Sequence, residues 1–308
     1  MGTLLEGRSA VVTGAGRGIG RAIALGLAAE GASVVVNDVG GTAAGEGSDR
    51  SPAEQVVAEI GENGGNAVPS YESVADFQGA SRIIETAVDN FGKVDILVNN
   101  AGIFRESMFD EMSEEEWDAI LGVHLKGTFN TCRHAVPHMK AQGYGRIINM
   151  TSNQWSHPTG RAHYAAAKGA IVSITWSLAW ELRKNGISVN SIAPRADTRS
   201  NRDTGDFYQR LSDAGLLPQE RVASIYGVPG AEHVAPMAAY LSSDMADGIS
   251  GWVFYVGGGE VSLYTHPTRT RSIYKSASEG PWSVDELVES LPRTILAGKP
   301  RPPHIPAS

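Results

Sequence analysis

The sequence predicts an α/β protein built on a doubly wound parallel sheet of seven strands, with helices on both faces. From Arg8 to about Gly259, short β-branched runs alternate with longer helical patterns, as in a parallel sheet covered on both sides. The chain has 308 residues, of which 42% are hydrophobic, so it can bury a full core. Length alone is compatible with one large α/β domain or with two small ones.

Seven segments carry a strand pattern. In chain order they are residues 9–13, 33–37, 67–68 and onward, 96–99, 146–149, 188–192 and 252–256. The capping-box sequence Ser113-Glu-Glu-Glu116 begins a long helix, which ends before Gly127 or continues past it. Residues 40–48 are too rich in glycine to continue a strand, and we expect a mobile loop there.

The composition changes near residue 260. Residues 195–230 are polar and punctuated by glycine and proline, and we expect them to form a lid over a cleft. After Gly259 the sequence becomes rich in Pro, Ser and Arg, with one short helix indicated by Ser283-Val-Asp-Glu286. We predict a sheet domain over residues 1–261 and an extension over residues 262–308. The extension packs on the body, packs on a partner subunit, or stays mobile.

Charge and cysteine content argue against several classes of function. The formal net charge of −8 argues against a nucleic-acid-binding surface. Cys132 is the single cysteine, which rules out an intrachain disulfide and a cysteine-based metal cluster. No apolar run is long enough to span a bilayer, and the N-terminus lacks a signal-peptide core. We therefore expect a cytoplasmic protein with no membrane partner and no metal site.

A glycine-rich turn follows the first strand directly. Thr13-Gly-Ala-Gly-Arg-Gly-Ile-Gly20 leads into a helical pattern, so its backbone can approach a pyrophosphate at a helix N-terminus. The glycines assigned to this turn are Gly14, Gly18 and Gly20. Asp38 falls at the end of the second strand, where a carboxylate accepts hydrogen bonds from a ribose diol. These features predict a Rossmann-type dinucleotide site.

The cofactor is predicted to be NAD rather than NADP. The Asp38 carboxylate would repel a 2′-phosphate, and Val39 beside it is not a basic acceptor. Arg17 is a possible phosphate partner and favours NADP. We expect the Asp38 carboxylate, which is nearer than Arg17, to determine the choice of cofactor.

Tyr164 and Lys168 lie four residues apart, which places a phenol and an ammonium on one face of a helix. A phenol with an ordinary pKa of about 10 needs a nearby cation to act as a base near neutral pH. Lys168 can be that cation, and the alanines between the two residues leave the face open to a ligand. The alternative is an ordinary helical tyrosine beside a solvated lysine, since this spacing is common by chance.

Four motifs, taken in order, resemble those of the short-chain dehydrogenase/reductase superfamily. They are residues 13–20, Asn99-Asn-Ala-Gly102, the set Ser152, Tyr164 and Lys168, and Ile192-Ala-Pro194. The resemblance covers residues 8 to about 260. It implies an enzyme that reduces ketones or oxidises alcohols with a nicotinamide cofactor.

The resemblance implies a role for each matching side chain. Tyr164 exchanges the proton of the substrate hydroxyl, and Ser152 hydrogen-bonds the reacting oxygen. Lys168 lowers the pKa of the phenol and binds the nicotinamide ribose. Ile19 touches the nicotinamide, whereas Asn99 serves either the sheet or the ligand. Further cofactor contacts assigned by the resemblance are Ser73, Val74, Asn100, Ala101, Gly102, Pro194 and Thr198.

Several positions depart from the superfamily pattern. His124 stands where most members have an asparagine on a water-linked proton route to the lysine. Either His124 replaces that asparagine, or it is a core imidazole bonded to backbone. Ser152 precedes Tyr164 by twelve residues where thirteen is commoner, which predicts a tighter loop. Arg195 replaces a common glycine, and Ser73-Val74 replaces an Asp-Val pair commonly used for adenine.

A closer likeness is to the (3R)-hydroxyacyl-CoA dehydrogenase domain of the peroxisomal multifunctional β-oxidation enzymes. It rests on residues 36–41, 123–127 and 192–196. Related enzymes include hydroxysteroid dehydrogenases, so we expect a bulky apolar substrate of hydroxysteroid or 3-hydroxyacyl-CoA type. Large side chains in the loops expected at the cleft agree with this, unless they pack the lid against the extension. They are Trp155, Phe207, Tyr208, Leu216, Leu217 and Tyr226.

The superfamily resemblance also implies a homotetramer. Its subunits would pair through the helix that holds Tyr164 and the helix from Glu114 onward. Trp176 and Trp180 lie on the former, and such large apolar side chains favour burial in an interface. Two rival functions are a dinucleotide-sensing regulator without chemistry and an assembly protein that uses the extension. The intact catalytic set argues against the regulator.

Overall fold

A computed structural model describes residues 2–156, 160–197, 205–216, 218, 219, 222 and 228–298. The chain divides into two compact units, Met1–Tyr264 and Thr265–Ser308. The first unit holds the whole sheet. Three residues that the sequence analysis assigned to the cofactor or the substrate lie outside the described residues: Thr198, Leu217 and Tyr226.

Eight strands form one sheet in the order β3-β2-β1-β4-β5-β6-β7-β8. Their bounds are β1 Ser9–Thr13, β2 Ser33–Asn37, β3 Asn66–Ser70, β4 Ile96–Asn99, β5 Gly145–Met150, β6 Ile187–Pro194, β7 Val253–Gly257 and β8 Glu260–Leu263. All neighbouring strands are parallel except β7 and β8. Each of the seven predicted segments forms a strand, and the predicted doubly wound α/β class is confirmed.

Helices cover both faces of this sheet. Their bounds are α1 Gly18–Ala29, α2 Ser51–Glu62, α3 Phe77–Phe91, α4 Glu114–Leu121, α5 Gly127–Gln142, α6 Ala162–Leu182, α7 Gly205–Asp213 and α8 Ala235–Ser242, with α9 Val284–Arg293 in the second unit. Side chains of β1 alternate between the faces. Ala10 and Val12 pack with α1 and α8, whereas Val11 packs with α3 and α5. Burial on both sides explains why the three central residues of β1 are all apolar.

The strand order locates the ligand side of the sheet. β1 lies between β2 and β4, and the chain returns from β3 at one edge to β4 beside β1. In an open parallel sheet, ligands bind outside the carboxyl ends of the strands at the point where the strand order reverses. That point lies at the ends of β1 and β4.

The strand β8 was missed in the sequence analysis. It pairs antiparallel to β7 through a two-residue turn, with Gly257 opposite Glu260. Gly258 in this turn has φ +60°, a conformation that favours glycine. All four residues of β8 are exposed, so no buried-strand pattern marks it in the sequence. The predicted count of seven strands is corrected to eight.

α4 and α5 form one continuous helix through a π-helical turn at Gly122–Lys126. Ser113 and Glu116 form the predicted capping box at its start, with the Glu116 amide donating to Ser113 Oγ at 3.1 Å. The helix therefore continues past Gly127. Single π turns occur often at functional sites, and this one contains His124.

No helix in the described residues is both long and apolar enough to cross a bilayer. The same part of the chain holds no group of three or more His, Cys, Asp or Glu residues arranged to bind a metal ion. Cys132 is buried, and burial raises the pKa of its thiol to about 12. A thiol with so high a pKa is a poor nucleophile, in agreement with a packing role.

In the second unit, α9 begins at the helix start that the sequence predicts. Ser283 and Glu286 form a capping box there. Lys275 pairs with the Glu286 carboxylate at 2.6 Å, and this contact lowers the pKa of Glu286 to about 2. Val284 and Val288 leave apolar surface exposed on the helix.

Candidate active site

A cavity of about 590 Å³ opens at the carboxyl ends of β1 and β4, within the usual range for ligand pockets. Its wall contains every predicted cofactor residue of the described chain except Gly20. These residues are Gly14, Arg17, Gly18, Ile19, Asp38, Ser73, Val74, Asn100, Ala101, Gly102, Tyr164, Lys168 and Pro194. His124 also lines the cavity. The fold thus brings together motifs that are far apart in the sequence.

The turn after β1 packs tightly against the segment after β4. Gly14 has φ +62°, and a Cβ there would lie 2.8 Å from the Ala101 Cα. Asn100 Nδ2 donates to the carbonyls of Thr13 and Gly14, both at 3.0 Å. A Cβ on Gly20 would lie 2.1 Å from the Gly14 carbonyl oxygen. Gly20 therefore allows α1 to approach the turn and does not itself line the cavity.

Asp38 lines the cavity with a carboxylate that two backbone amides hold in place. The amide of Gly16 donates to Oδ2 at 2.8 Å, and the amide of Gly40 donates to Oδ1 at 2.7 Å. Arg17 is engaged nearby, since it donates to the Gly41 carbonyl at 3.3 Å. A fixed negative charge therefore lies where the sequence predicts the adenosine ribose.

The glycine-rich loop after β2 forms part of the wall, which the sequence analysis missed. Gly41, Thr42, Ala44 and Gly45 line the cavity. The amide of Phe104 donates to the Ala43 carbonyl at 2.9 Å, so the loop is bonded to the segment after β4. This contact uses backbone atoms alone, and residue types give no signal for it.

Ser73 and Val74 line the cavity, although they depart from the common adenine-binding pair. The Ser73 hydroxyl accepts from the Ala75 amide at 3.2 Å, and the Val74 carbonyl accepts from Asn130 Nδ2 at 2.8 Å. The serine hydroxyl thus stabilises its own turn. A contact of Ser73 or Val74 with the cofactor stays a prediction.

Asn99 belongs to the sheet interior and does not line the cavity. Its Nδ2 donates to Asn149 Oδ1 at 2.9 Å, and its Oδ1 accepts from the Thr131 hydroxyl at 2.6 Å. The side chain therefore ties β4 to β5 and α5. Of the two alternatives for Asn99, the structure supports a role in the sheet.

Tyr164 and Lys168 lie one turn apart near the start of α6. Lys168 Nζ is 5.5 Å from the centroid of the Tyr164 ring and donates to the Met150 carbonyl at 2.7 Å. Ser152 follows β5, and its Oγ accepts from the Gln154 amide at 3.3 Å. Its neighbour Thr151 lines the cavity, whereas Ser152 itself is not part of that wall.

Burial dominates the electrostatics of this pair. It raises the pKa of the Tyr164 phenol, while the Arg161 guanidinium and a hydrogen bond with the Ser152 hydroxyl act in the opposite direction. Burial also lowers the pKa of the Lys168 ammonium to about 7. Lys168 is thus near its titration point at neutral pH, and its expected effect on the phenol stays a prediction.

His124 lies in the π turn with 2% of its surface exposed. Its Nε2 is 2.8 Å from the Ile103 carbonyl oxygen, and its ring meets the Tyr164 ring edge to face at 5.3 Å between centroids. Burial holds the pKa of the imidazole well below its usual value, so the ring is neutral. A Cβ on Gly102 would lie 2.5 Å from Cε1 of this ring.

The imidazole is thus bonded to backbone, as one alternative predicts, and its ring also lies beside that of Tyr164. Nδ1 of His124 is buried and has no hydrogen-bond partner among the described residues. A proton route through this nitrogen stays a prediction.

Aromatic residues predicted to border the substrate cleft lie around the start of α6. Phe207 and Tyr208 of α7 are buried, and the Tyr208 hydroxyl accepts from Gln154 Nε2 at 2.9 Å. The ring of Trp155 lies 5.4 Å from that of Tyr264. Leu216 is partly exposed, so it packs less closely than the others.

Arg161 is a further residue at this place that the sequence analysis missed. Its guanidinium donates to the Tyr208 hydroxyl and lies 5.5 Å from the centroid of the Tyr164 ring. The signal for it in the sequence is weak: an arginine three residues before Tyr164, directly before a helix.

The match to a known family identifies the class of protein to which this chain belongs. Residues 8–206 match the family of short chain dehydrogenases, and the chain belongs to this family. The predicted superfamily resemblance is confirmed.

Individual proteins similar to this chain agree with its assignment to the short chain dehydrogenase family. The chain is 38% identical to the hydroxyacyl-CoA dehydrogenase ChsB1 of Mycobacterium tuberculosis, over 96% of this chain and 91% of that protein. It is 42% identical to the mouse peroxisomal multifunctional enzyme type 2, over 82% of this chain and 32% of that larger enzyme. The crystal structure of a short chain dehydrogenase from Mycobacterium avium superposes with a TM-score of 0.80 at 38% identity and covers 98% of both chains. The closer likeness to multifunctional peroxisomal enzymes is therefore confirmed as similarity.

Proposed function

We propose that this oxidoreductase interconverts a secondary alcohol and a ketone with NAD(H), on a bulky apolar substrate of 3-hydroxyacyl-CoA or hydroxysteroid type. The observation that carries the proposal is that Tyr164 and Lys168 share one cavity with the glycine turn and Asp38. The turn, the start of α1 and the carboxylate fit the pyrophosphate and ribose of a dinucleotide. When bound, NAD supplies the hydride acceptor.

The chain's own residues would handle the proton and orient the substrate. In the oxidation direction, the substrate O–H bond breaks and its proton passes to the Tyr164 oxygen. The electron pair forms the C=O bond as hydride leaves the carbinol carbon. Ser152 would donate to the reacting oxygen and stabilise the charge that develops there. Lys168 would bind the ribose and favour the phenolate.

The choice of NAD rests on Asp38. Two backbone amides hold its carboxylate at the end of β2, so it cannot easily turn away from a 2′-phosphate. Arg17 would have to leave the Gly41 carbonyl to neutralise that phosphate. These contacts favour the cofactor without a 2′-phosphate.

One observation supports an acyl-CoA substrate. The similar proteins include a hydroxyacyl-CoA dehydrogenase that matches this chain over nearly its whole length. The hydroxysteroid alternative rests on the resemblance of the sequence alone.

A spectrophotometric NADH screen tests the proposal. The panel contains 3-hydroxyacyl-CoA esters, hydroxysteroids and small secondary alcohols, each with NAD and with NADP. We expect the highest kcat/KM with a bulky substrate and NAD. A protein that binds NADH but turns over no member of the panel would instead be a dinucleotide-sensing regulator.

We also propose that the chain forms a homotetramer in the cytoplasm. Trp180 on α6 is 67% exposed and Phe129 on α5 is 47% exposed in the single chain. Large apolar side chains on these two helices favour an interface between copies. Deletion of residues 262–308 separates an assembly role of the extension from catalysis, because an assembly role predicts that catalysis survives.

A further inference from the structure

Arg161 combines two costly features at the entrance to the catalytic helix. Its backbone φ is 54°, and among the described residues it is the only one other than glycine with a positive φ. Such a conformation is strained for an arginine and persists where the surroundings impose it. The same residue has only 3% of its surface exposed, so its charge is removed from water. Strain and a buried charge together are typical of functional sites.

No carboxylate among the described residues balances this charge. The guanidinium donates to the Tyr208 hydroxyl, while its Nε is buried without a hydrogen-bond partner in the described chain. Four aromatic rings of the described chain lie around it. The centroids of Tyr208, Tyr164, Phe104 and Phe207 lie 5.1, 5.5, 5.9 and 6.0 Å from Cζ. Ring faces attract a cation but do not neutralise it.

Five polar groups face the Tyr164 phenol from the elements around it. Lys168 and Arg161 belong to α6 and its N-cap, His124 to the π turn, Tyr208 to α7, and Ser152 to the turn after β5. His124 is neutral, and neither hydroxyl group is a cation. The cations are therefore Lys168 and Arg161.

The two cations differ in whether they keep their positive charge at neutral pH. Burial lowers the pKa of Lys168 to about 7, so part of the population has lost that charge at neutral pH. A guanidinium keeps its proton at any pH at which a protein is folded. Both cations lie 5.5 Å from the phenol ring centroid. The steady part of the positive field on the phenol therefore comes from Arg161.

We propose that Arg161 is a positioning residue of the active site: its buried guanidinium, held by Tyr208 of α7, supplies the fixed positive charge that favours the phenolate form of Tyr164. The inference rests on the proposed function, in which Tyr164 exchanges the substrate proton. It also gives α7 a part in catalysis. The Tyr208 hydroxyl accepts from both Arg161 and Gln154, so it joins α7 to both segments that carry the reacting groups.

The test is the pH profile of kcat/KM for alcohol oxidation by the full chain at saturating NAD. Arg161→Gln should raise the apparent pKa of the catalytic base by about one unit, which means roughly tenfold lower kcat/KM on the acid side of the profile. Arg161→Lys restores a cation and should return the profile most of the way to wild type. Tyr208→Phe removes the acceptor and should shift the profile in the same direction by less. Arg183→Gln, at the exposed far end of α6, is the matched control and should shift nothing.

Two outcomes overturn the inference. The first is an unchanged profile in Arg161→Gln, whatever happens to kcat; if KM for acidic substrates rises at the same time, Arg161 is a substrate ligand. The second is a shift in Arg161→Lys as large as that in Arg161→Gln. If Arg161→Gln does not fold, judged by circular dichroism, Tyr208→Phe decides in the same way.

The inference and the proposed function fail separately. An active Tyr164→Phe enzyme contradicts the proposed function. An inactive Tyr164→Phe enzyme together with an unshifted Arg161→Gln profile contradicts only the role of Arg161.

Discussion

The predicted cofactor side and the predicted substrate side of the candidate active site are held together in different ways. On the cofactor side, Asn100 and Asp38 bond to backbone atoms of the glycine turn itself. On the substrate side, Tyr208 meets Gln154 and Arg161, which are 54 and 47 residues away in the sequence. One side is a compact motif, and the other depends on how α7 packs. A family can therefore keep its cofactor site while its substrate site varies.

The largest expected effect on kcat comes from Tyr164, which lies between the cofactor side and the substrate side. Tyr164→Phe should lower kcat by about two to four decades, the usual range for a general acid or base, because the ring remains and only the proton-exchanging oxygen is lost. NADH affinity, measured by fluorescence titration, should be retained. Tyr240→Phe on α8 is the matched control and should have wild-type kcat. Near wild-type kcat in Tyr164→Phe at saturating substrate would contradict the proposed role of Tyr164 as general acid or base.

A smaller effect is expected from the cofactor side alone. Wild type should prefer NAD over NADP by at least about tenfold in kcat/KM, which corresponds to about 1.4 kcal/mol. Asp38→Ala should narrow this preference, because the carboxylate that repels a 2′-phosphate is gone. The measurement is kcat/KM with each cofactor, and Glu46→Ala in the exposed part of the same loop is the control. Equal or better turnover of wild type with NADP would show that Asp38 does not select the cofactor.

The buried ammonium of Lys168 should make stability depend on pH. Its pKa in the folded chain is about 7, below its ordinary value of 10.5. Between these values the unfolded chain binds more protons, so the free energy of unfolding rises with pH, by at most about 1.4 kcal/mol per unit. Urea unfolding of the cofactor-free protein from pH 7 to pH 9.5 measures this rise. It should be lost in Lys168→Met and kept in the exposed control Lys184→Met, and an equal rise in all three proteins would contradict the burial of a neutral lysine.

The outer face of α6 should matter least for chemistry. Trp180→Glu should leave kcat unchanged if the tetramer is not needed for turnover, but it should reduce the particle mass because a charge would enter the proposed interface. Light scattering measures the mass, and Met245→Glu on another exposed surface is the control. A 32.6 kDa monomer in wild type at micromolar concentration would contradict the proposed assembly.

The two sides also differ in how far the sequence predicts them. Gly14, Asp38 and Asn100 could be assigned to the cofactor site from the sequence. Each belongs to a short motif, and the spacing of residues in such a motif indicates the local backbone geometry. Gly20 shows the limit of such motifs, since the structure gives it a packing role rather than a place in the cavity wall. The loop containing Ala43 could not be assigned, because its contact with the Phe104 amide uses only backbone atoms.

On the substrate side, the missing information is tertiary. Nothing in the residues around Arg161 indicates that its charge is buried against Tyr208 of a distant helix. The same limit applies to β8, whose exposed residues lack the apolar pattern of a buried strand. For His124 both alternatives stay predictions, since the imidazole is bonded to backbone and its ring also lies beside that of Tyr164.

The most direct test of the central claim follows the hydride. The enzyme is incubated with NAD and a bulky 3-hydroxyacyl-CoA or hydroxysteroid that carries deuterium on the carbinol carbon, and the cofactor is analysed by mass spectrometry. We predict deuterium in the reduced cofactor with wild type and at most a trace with Tyr164→Phe over the same time. Bound cofactor that gains no deuterium from any substrate of the panel would contradict the proposed function.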